Sequence, residues 1–206
     1  MKGAVSMIRA VIFDFGNVIS AFDPGIFLRN LRPYTDRTVE EMRDLIYGSD
    51  LHRSYEAGWI TSREFFSETA RRCGLGMTEE RFADAFTEIF TPIESTARLI
   101  ADLKGRYRLG LLSNTNAWHY ERHIRRVDVF PLFDSVTLSF EVKALKPDEA
   151  IYRDALAKLG HPPEECAYID DVEEYAAGAR GIGIHGLRYT GNGELLASLR
   201  ALGVSA

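Results

Sequence analysis

Five short runs of apolar, β-branched and aromatic residues constrain this chain most: Ile8 to Phe13, Tyr107 to Leu112, Ser135 to Ser139, Cys166 to Ile169 and Ile182 to Leu187. Each has the length of a strand, and none shows a regular polar alternation. Strands of that kind are buried on both faces, the condition of a parallel sheet covered by helices. Between the last four runs lie segments of helical period: Trp118 to Arg126, then a stripe of Ile151, Ala155 and Leu159, then Glu173 to Ala179. Strand and helix alternate as in βαβ units, so the expected fold is α/β, a three-layer α/β/α sandwich on a Rossmann-like parallel sheet.

The interval from Ala21 to Thr91 breaks this rhythm, with no convincing strand and three helix starts. Thr38-Val39-Glu40-Glu41 and Thr61-Ser62-Arg63-Glu64 both fit a capping box, in which a Thr hydroxyl and a Glu carboxylate satisfy each other's backbone amides. Met42, Leu45 and Ile46 follow the first on one face; Phe65, Phe66, Thr69 and Cys73 follow the second up to Gly74, a left-handed stop. A third helix starts at Thr78, with Met77 stapled to Phe82 and a face continued by Ala85, Phe86 and Ile89. Residues 21–91 therefore form an inserted all-helical cap, and 1–20 with 92–206 form the α/β core. The aromatic stretch Phe65, Phe66, Phe82, Phe86 and Phe90 is expected to be the inside of that bundle.

Composition narrows the partners. A formal net charge of −5 and a pI near 5.6 give no basic footprint for nucleic acid. No window reaches the roughly 18 apolar residues of a membrane helix. Two cysteines, Cys73 and Cys166, form no C-x-x-C pair, and Met1 to Ser6 does not resemble a signal peptide, so a reduced, cytoplasmic setting is expected. Met7 opens the first structured segment and is an alternative start.

In an open parallel sheet, ligands bind beyond the carboxyl ends of the strands. The residues there are coherent: Asp14-Phe15-Gly16-Asn17-Val18 after the first run, Ser113-Asn114-Thr115-Asn116 after the second, Lys146-Pro147 beyond the third and Asp170-Asp171 after the fourth. Clustered carboxylates repel unless a hard divalent cation joins them, and Mg2+ takes one or two carboxylates while its other positions go to water and phosphate oxygens. An ammonium and a hydroxyl opposite that cation suit the spread charge of a transferring phosphoryl group. Each motif alone has a plainer reading: Asp14 as an Asx turn, Asp170-Asp171 as a helix cap, Ser113-Asn114 as turn chemistry, Lys146-Pro147-Asp148-Glu149 as a helix entry. All four in order at strand tips exceed what turns and caps require.

Together these motifs resemble those of the haloacid dehalogenase superfamily, over essentially the whole chain and with a helical cap after the first motif. Phe13-Asp14-Phe15-Gly16-Asn17-Val18 and Leu112-Ser113-Asn114-Thr115-Asn116 are similar to the branch holding bacterial sugar-phosphate phosphatases of the glucose-1-phosphate type. The resemblance implies Asp14 as a nucleophile giving an aspartyl-phosphate, with Mg2+ held by the Asp14 carboxylate, the Gly16 carbonyl and Asp171, and by Asp170 directly or through water. It implies Ser113 Oγ and the Asn114 amide as phosphoryl ligands and Lys146 as the neutralising cation, with Glu174 orienting Lys146 or a metal-bound water. Tyr55-Glu56-Ala57-Gly58-Trp59-Ile60 is similar to the cap loop that faces the site in relatives; there Glu56 touches the substrate's leaving group, or the segment is an ordinary helix end stopped at Gly58. One departure stands out: Gly16 occupies the position where most phosphatases of the family carry an acid/base Asp.

The implied function is a Mg2+-dependent phosphatase of a small phosphorylated metabolite, a sugar phosphate first, working as a monomer or homodimer. The alternatives are a dehalogenase-type hydrolase, for which the paired acids have no use, and a catalytically silent phospho-ligand-binding protein. Gly181-Ile182-Gly183-Ile184-His185-Gly186 spells a dinucleotide fingerprint but lies where a helix ends and a strand begins, the reverse of what that motif needs. His119 and His123 are four apart without an H-E-x-x-H pattern and are expected on a solvated helix face.

Overall fold

The computed structural model describes residues 7–205, so the reading of Met1 to Ser6 lies outside the described residues. The chain opens with strand β1 (Ala10–Phe13) and a loop to β2 (Ser20–Phe22). It then makes five helices, α1 (Pro24–Leu31), α2 (Val39–Ile46), α3 (Asp50–Glu56), α4 (Ser62–Cys73) and α5 (Glu79–Thr87), and returns through β3 (Phe90–Pro92). The second half runs α6 (Glu94–Leu103), β4 (Arg108–Ser113), α7 (Ala117–Arg122), β5 (Ser135–Leu138), α8 (Ser139–Val142) and α9 (Glu149–Leu159). It closes with β6 (Cys166–Asp170), α10 (Glu173–Gly181), β7 (His185–Arg188) and α11 (Asn192–Ala201).

Five strands form one parallel sheet in the order β5-β4-β1-β6-β7. Because successive side chains leave a strand on opposite faces, β1 splits its residues between two cores. Val11 and Phe13 pack with Leu99, Ile100, Leu103, Leu195 and Leu199 of α6 and α11 on one face. Ala10 and Ile12 pack with Ile151, Tyr152, Ala155 and Ala179 of α9 and α10 on the other. The register sets Phe13 beside Leu111 and Ile169, so the residues after β1, β4 and β6 emerge together at one edge.

The cap has its own interior, where Phe27, Met42, Ile46, Tyr55, Phe65, Phe82 and Phe86 are buried against one another. Both capping boxes form: Thr38 Oγ1 accepts from the Glu41 amide and Thr61 Oγ1 from the Glu64 amide, with each Glu reaching back. Gly74 ends α4 at φ 64°, a conformation glycine adopts without strain.

Three expectations change. The expected absence of strands in the insertion gives way to an antiparallel ribbon, with Ser20 opposite Pro92 and Phe22 opposite Phe90. It straddles the boundaries at 20/21 and 91/92; three-residue strands are too short for a periodic signal, and Pro92 is tolerated because the ribbon is all edge. Helices α1 and α3 were not expected either. Their signals were local caps, with Asp23 accepting from Gly25 ahead of Pro24 and Ser49 accepting from Leu51. Finally, His119 is not solvated but 8% exposed, because α7 lies under the cap. Its Nδ1 contacts the Asn116 side chain at 3.1 Å, its Nε2 contacts the Phe86 carbonyl at 3.0 Å, and its ring stacks on Phe86. His123 is half-buried, stacked on Phe90.

Candidate active site

Each chemistry-bearing side chain leaves the core where an apolar strand ends. Asp14 follows β1, its amide donating to the Ile169 carbonyl at 2.9 Å and so continuing the sheet by one residue. Ser113 and Asp170 end β4 and β6, and Lys146 lies in the loop between α8 and α9. All four are buried, Asp170 completely.

At the centre lies Lys146. Its Nζ is 2.8 Å from Asp14 Oδ1 and 2.7 Å from Asp170 Oδ2, and it stands over the rings of Tyr175 at 5.0 Å and Tyr168 at 5.7 Å. Those ring distances are within the range of attraction between a cation and an aromatic face. The Tyr168 hydroxyl donates to Asp170 Oδ2, and the Val172 amide donates to Asp170 Oδ1 at 2.9 Å. Asp170 therefore orients Lys146. Glu174, for which the resemblance implies a contact with Lys146 or with a metal-bound water, is exposed, and the carboxylates paired with Lys146 are those of Asp14 and Asp170.

Burial drives the Asp14 pKa up and nearby Asp170 adds to the rise; Lys146 opposes both, and the carboxyl ends at about 7. Burial pulls Lys146 down, but the two carboxylates outweigh it and hold its proton above the ordinary lysine range. Two acids thus share one ammonium, and a third, Asp171, stands beside them. Asp14, Asp170 and Asp171 each offer an oxygen, all within 4.8 Å of one another. Three hard oxygen donors with a single neutralising cation form a set that suits Mg2+. Asn17, part of the first strand-tip motif but without a role readable from the sequence, donates from Nδ2 to Asp171 Oδ2 at 3.0 Å, and its backbone stands at φ 53°.

The tip of β4 is tied to the lysine loop. The Lys146 amide donates to Asn114 Oδ1 at 2.8 Å, and Asn114 Nδ2 donates back to the Lys146 carbonyl at 3.3 Å. The Asn114 side chain is thereby used in positioning. The Ser113 hydroxyl has only a 3.4 Å contact with the Asn114 carbonyl.

A cleft between cap and core, about 450 Å³ of empty space with open solvent included, meets this cluster through Gly16, Ser113 and Asn114. Its other walls include Phe22, Phe90 and His119, together with His52 and Glu56 of α3. Gly58, at φ 64°, follows the α3 C-terminus, so the stop expected there and a cap segment facing the cleft coexist. The cap is fastened here: Ser139 Oγ donates to the Glu56 carbonyl at 2.6 Å and accepts from the Thr115 amide at 2.9 Å. At the far side Arg122 of α7 pairs with Glu80 and Asp84 of α5.

The structure therefore places Asp14, Lys146, Asp170 and Asp171 in one cluster, Gly16, Ser113 and Asn114 where it opens to the cleft, and Glu56 on the cap side of that cleft. Among the described residues, no helix is long and apolar enough to cross a membrane.

Comparison with known proteins agrees with this architecture. The chain is 27% identical over 163 residues to the pyrimidine 5'-nucleotidase YjjG of Escherichia coli, covering 74% of this chain and 72% of the relative. It is 25% identical to the D-ribitol-5-phosphate phosphatase of Bacteroides thetaiotaomicron, covering 80% of this chain and 84% of that one. Among solved structures, a HAD-like family hydrolase from Porphyromonas gingivalis superposes with a TM-score of 0.80 at 29% identity, over 96% of this chain and 98% of the other. A HAD family enzyme from Bacteroides thetaiotaomicron, solved as its magnesium complex, gives a TM-score of 0.77 at 25% identity, over 88% and 93% of the two chains. The profile of haloacid dehalogenase-like hydrolases matches residues 8–183, and the chain belongs to that family.

Proposed function

We propose that this hydrolase is a Mg2+-dependent phosphatase of small phosphorylated metabolites, with sugar phosphates the first class to test, working through an aspartyl-phosphate on Asp14. The observation that carries the reading is one ammonium shared by two buried carboxylates, with a third acid close by. Phosphatases of phosphorylated small molecules among the relatives support the substrate class.

Asp14, Asp171 and the Gly16 carbonyl would hold the ion, with Asp170 direct or through water; when bound, it supplies positive charge to the carboxylates and the phosphoryl oxygens. The protein's own groups do the rest. Ser113 Oγ and the Asn114 amide hold phosphoryl oxygens, an Asp14 carboxylate oxygen attacks phosphorus, and Lys146 offsets the charge that attack brings together. Water then cleaves the phosphoryl group from Asp14.

The test is release of phosphate from an aryl phosphate and a sugar-phosphate panel, with Mg2+ and with a chelator, for wild type and Asp14→Asn. The expected result is metal-dependent turnover that the substitution abolishes. Turnover surviving in Asp14→Asn refutes the reading, as does metal-independent release of halide from a 2-haloacid without release of phosphate.

A further inference from the structure

An alkyl phosphate cannot lose its alkoxide near neutral pH unless a proton reaches the departing oxygen, and among the described residues the core groups gathered at the site are already committed, Asp171 to the cation-holding set and to Asn17 Nδ2. Lys146 is clamped between two carboxylates, Asp14 is the nucleophile, and both oxygens of Asp170 accept hydrogen bonds. Position 16 is glycine, and a Cβ there would stand 3.0 Å from Phe22 Cε1, so the wall leaves little room for a side chain.

The remaining titratable groups around the cleft are on or under the cap: Tyr47, His52, Glu56 and His119. Both His119 nitrogens are occupied, and burial holds its pKa at about 3. Burial pushes Tyr47 far above the phenol range. His52 and Glu56 are left, side by side on α3, Nδ1 to Oε2 3.6 Å, each about one-fifth to one-quarter exposed. Of the two, Glu56 is the better placed. Its main-chain carbonyl accepts from Ser139 Oγ, which accepts in turn from the amide of Thr115, two residues beyond Ser113, so the backbone at Glu56 is held against that loop. The cap residue and the phosphoryl-binding loop thus share one anchor.

We propose that Glu56 is the proton donor and acceptor of the reaction, and that His52 is the residue that positions it. As the Asp14 oxygen bonds to phosphorus, the bond from phosphorus to the leaving oxygen breaks; its electron pair stays on that oxygen, which takes the Glu56 proton and departs as an alcohol. The Glu56 carboxylate then takes a proton from the attacking water as the new bond to phosphorus forms and the bond to Asp14 breaks. Phosphate leaves and protonated Glu56 is restored. The assignment rests on the phosphatase reading and adds the group that the glycine at position 16 cannot supply.

The experiment compares the first half-reaction on two esters, a sugar phosphate and p-nitrophenyl phosphate, in Mg2+-supplied full-length protein by rapid quench. A nitrophenolate leaves without a proton; a sugar alkoxide does not. For Glu56→Gln the expected loss is about 100-fold or more in phosphoryl transfer from the sugar phosphate and no more than about threefold from the aryl ester. His52→Gln is expected to give the same selectivity at smaller size. Equal losses on both esters, or a change in KM alone, would overturn the assignment. Should Glu56→Gln melt early, Glu56→Asp carries the same comparison: loss confined to the sugar phosphate supports the proposal, and loss shared by both refutes it. Wild-type protein turning over neither ester would instead remove the phosphatase reading beneath it.

Discussion

Replacing Asp14 by Asn in metal-free protein should remove a pH-dependent weakness from the fold. In the folded chain Asp14 releases its proton at about 7, against 3.8 for an ordinary Asp, so between those values the folded state holds a proton that the unfolded chain has lost. Stability therefore falls as pH rises through that interval. From about pH 5.5 to 7 the loss accumulates at about 1.4 kcal/mol per pH unit, or roughly 2 kcal/mol, and is complete by about pH 8.5. His119 slopes the other way. Held neutral by burial at about 3, it leaves the unfolded state to take up the proton below about 6.5, so its contribution grows with pH. That contribution is common to both proteins and cancels in their difference. The assay is urea denaturation of wild type and Asp14→Asn in chelator at about pH 5.5 and 8.5. The stability of the variant relative to wild type should rise by roughly 2 kcal/mol across the interval, equivalent to about 4–8 °C in Tm for a chain of this size. A difference that stays flat with pH would show Lys146 already outweighing burial, with Asp14 ionised throughout, and would refute the reasoning.

Other outcomes follow from the same geometry. Lys146→Met leaves Asp14 and Asp170 buried without their ammonium and should cost about 3–5 kcal/mol by urea denaturation at neutral pH, partly recovered on adding Mg2+. Gly58→Ala meets a positive φ and sets a Cβ 2.1 Å from the Phe140 carbonyl. It should lower stability by more than about 1 kcal/mol in thermal melts and reduce turnover by displacing the Glu56 segment. Gly16→Asp alone should gain little activity on sugar phosphates, whereas joining it to Phe22→Ala should gain about tenfold or more, because the Phe22 ring otherwise crowds position 16.

The core was legible because its signals are local: β-branched runs mark strands, and a polar residue ending such a run stands at the sheet edge. Asp14, Ser113 and Asp170 needed no more than that, and the capping boxes at Thr38 and Thr61 wrote α2 and α4 directly into the chain. What escaped depends on contacts across long sequence separations. Asn17 meets Asp171 from 154 positions away, and nothing near either residue encodes that meeting except the tolerance of Asn for a left-handed backbone. Tyr168 read as one more strand residue, yet its hydroxyl fixes Asp170. His119 looked solvated because helical period alone cannot tell a surface face from one that a cap covers. The ribbon of β2 and β3 was hidden by its brevity, and with it the Phe22 ring beside Gly16.

A rapid acid quench during turnover of an aryl phosphate, followed by peptide mass spectrometry, tests the central claim most directly. The account predicts a phosphoryl group on the peptide bearing Asp14, formed only when Mg2+ is supplied and absent from Asp14→Asn. Phosphate released with no phosphorylated peptide at any quench time, or with the label on another residue, would contradict it.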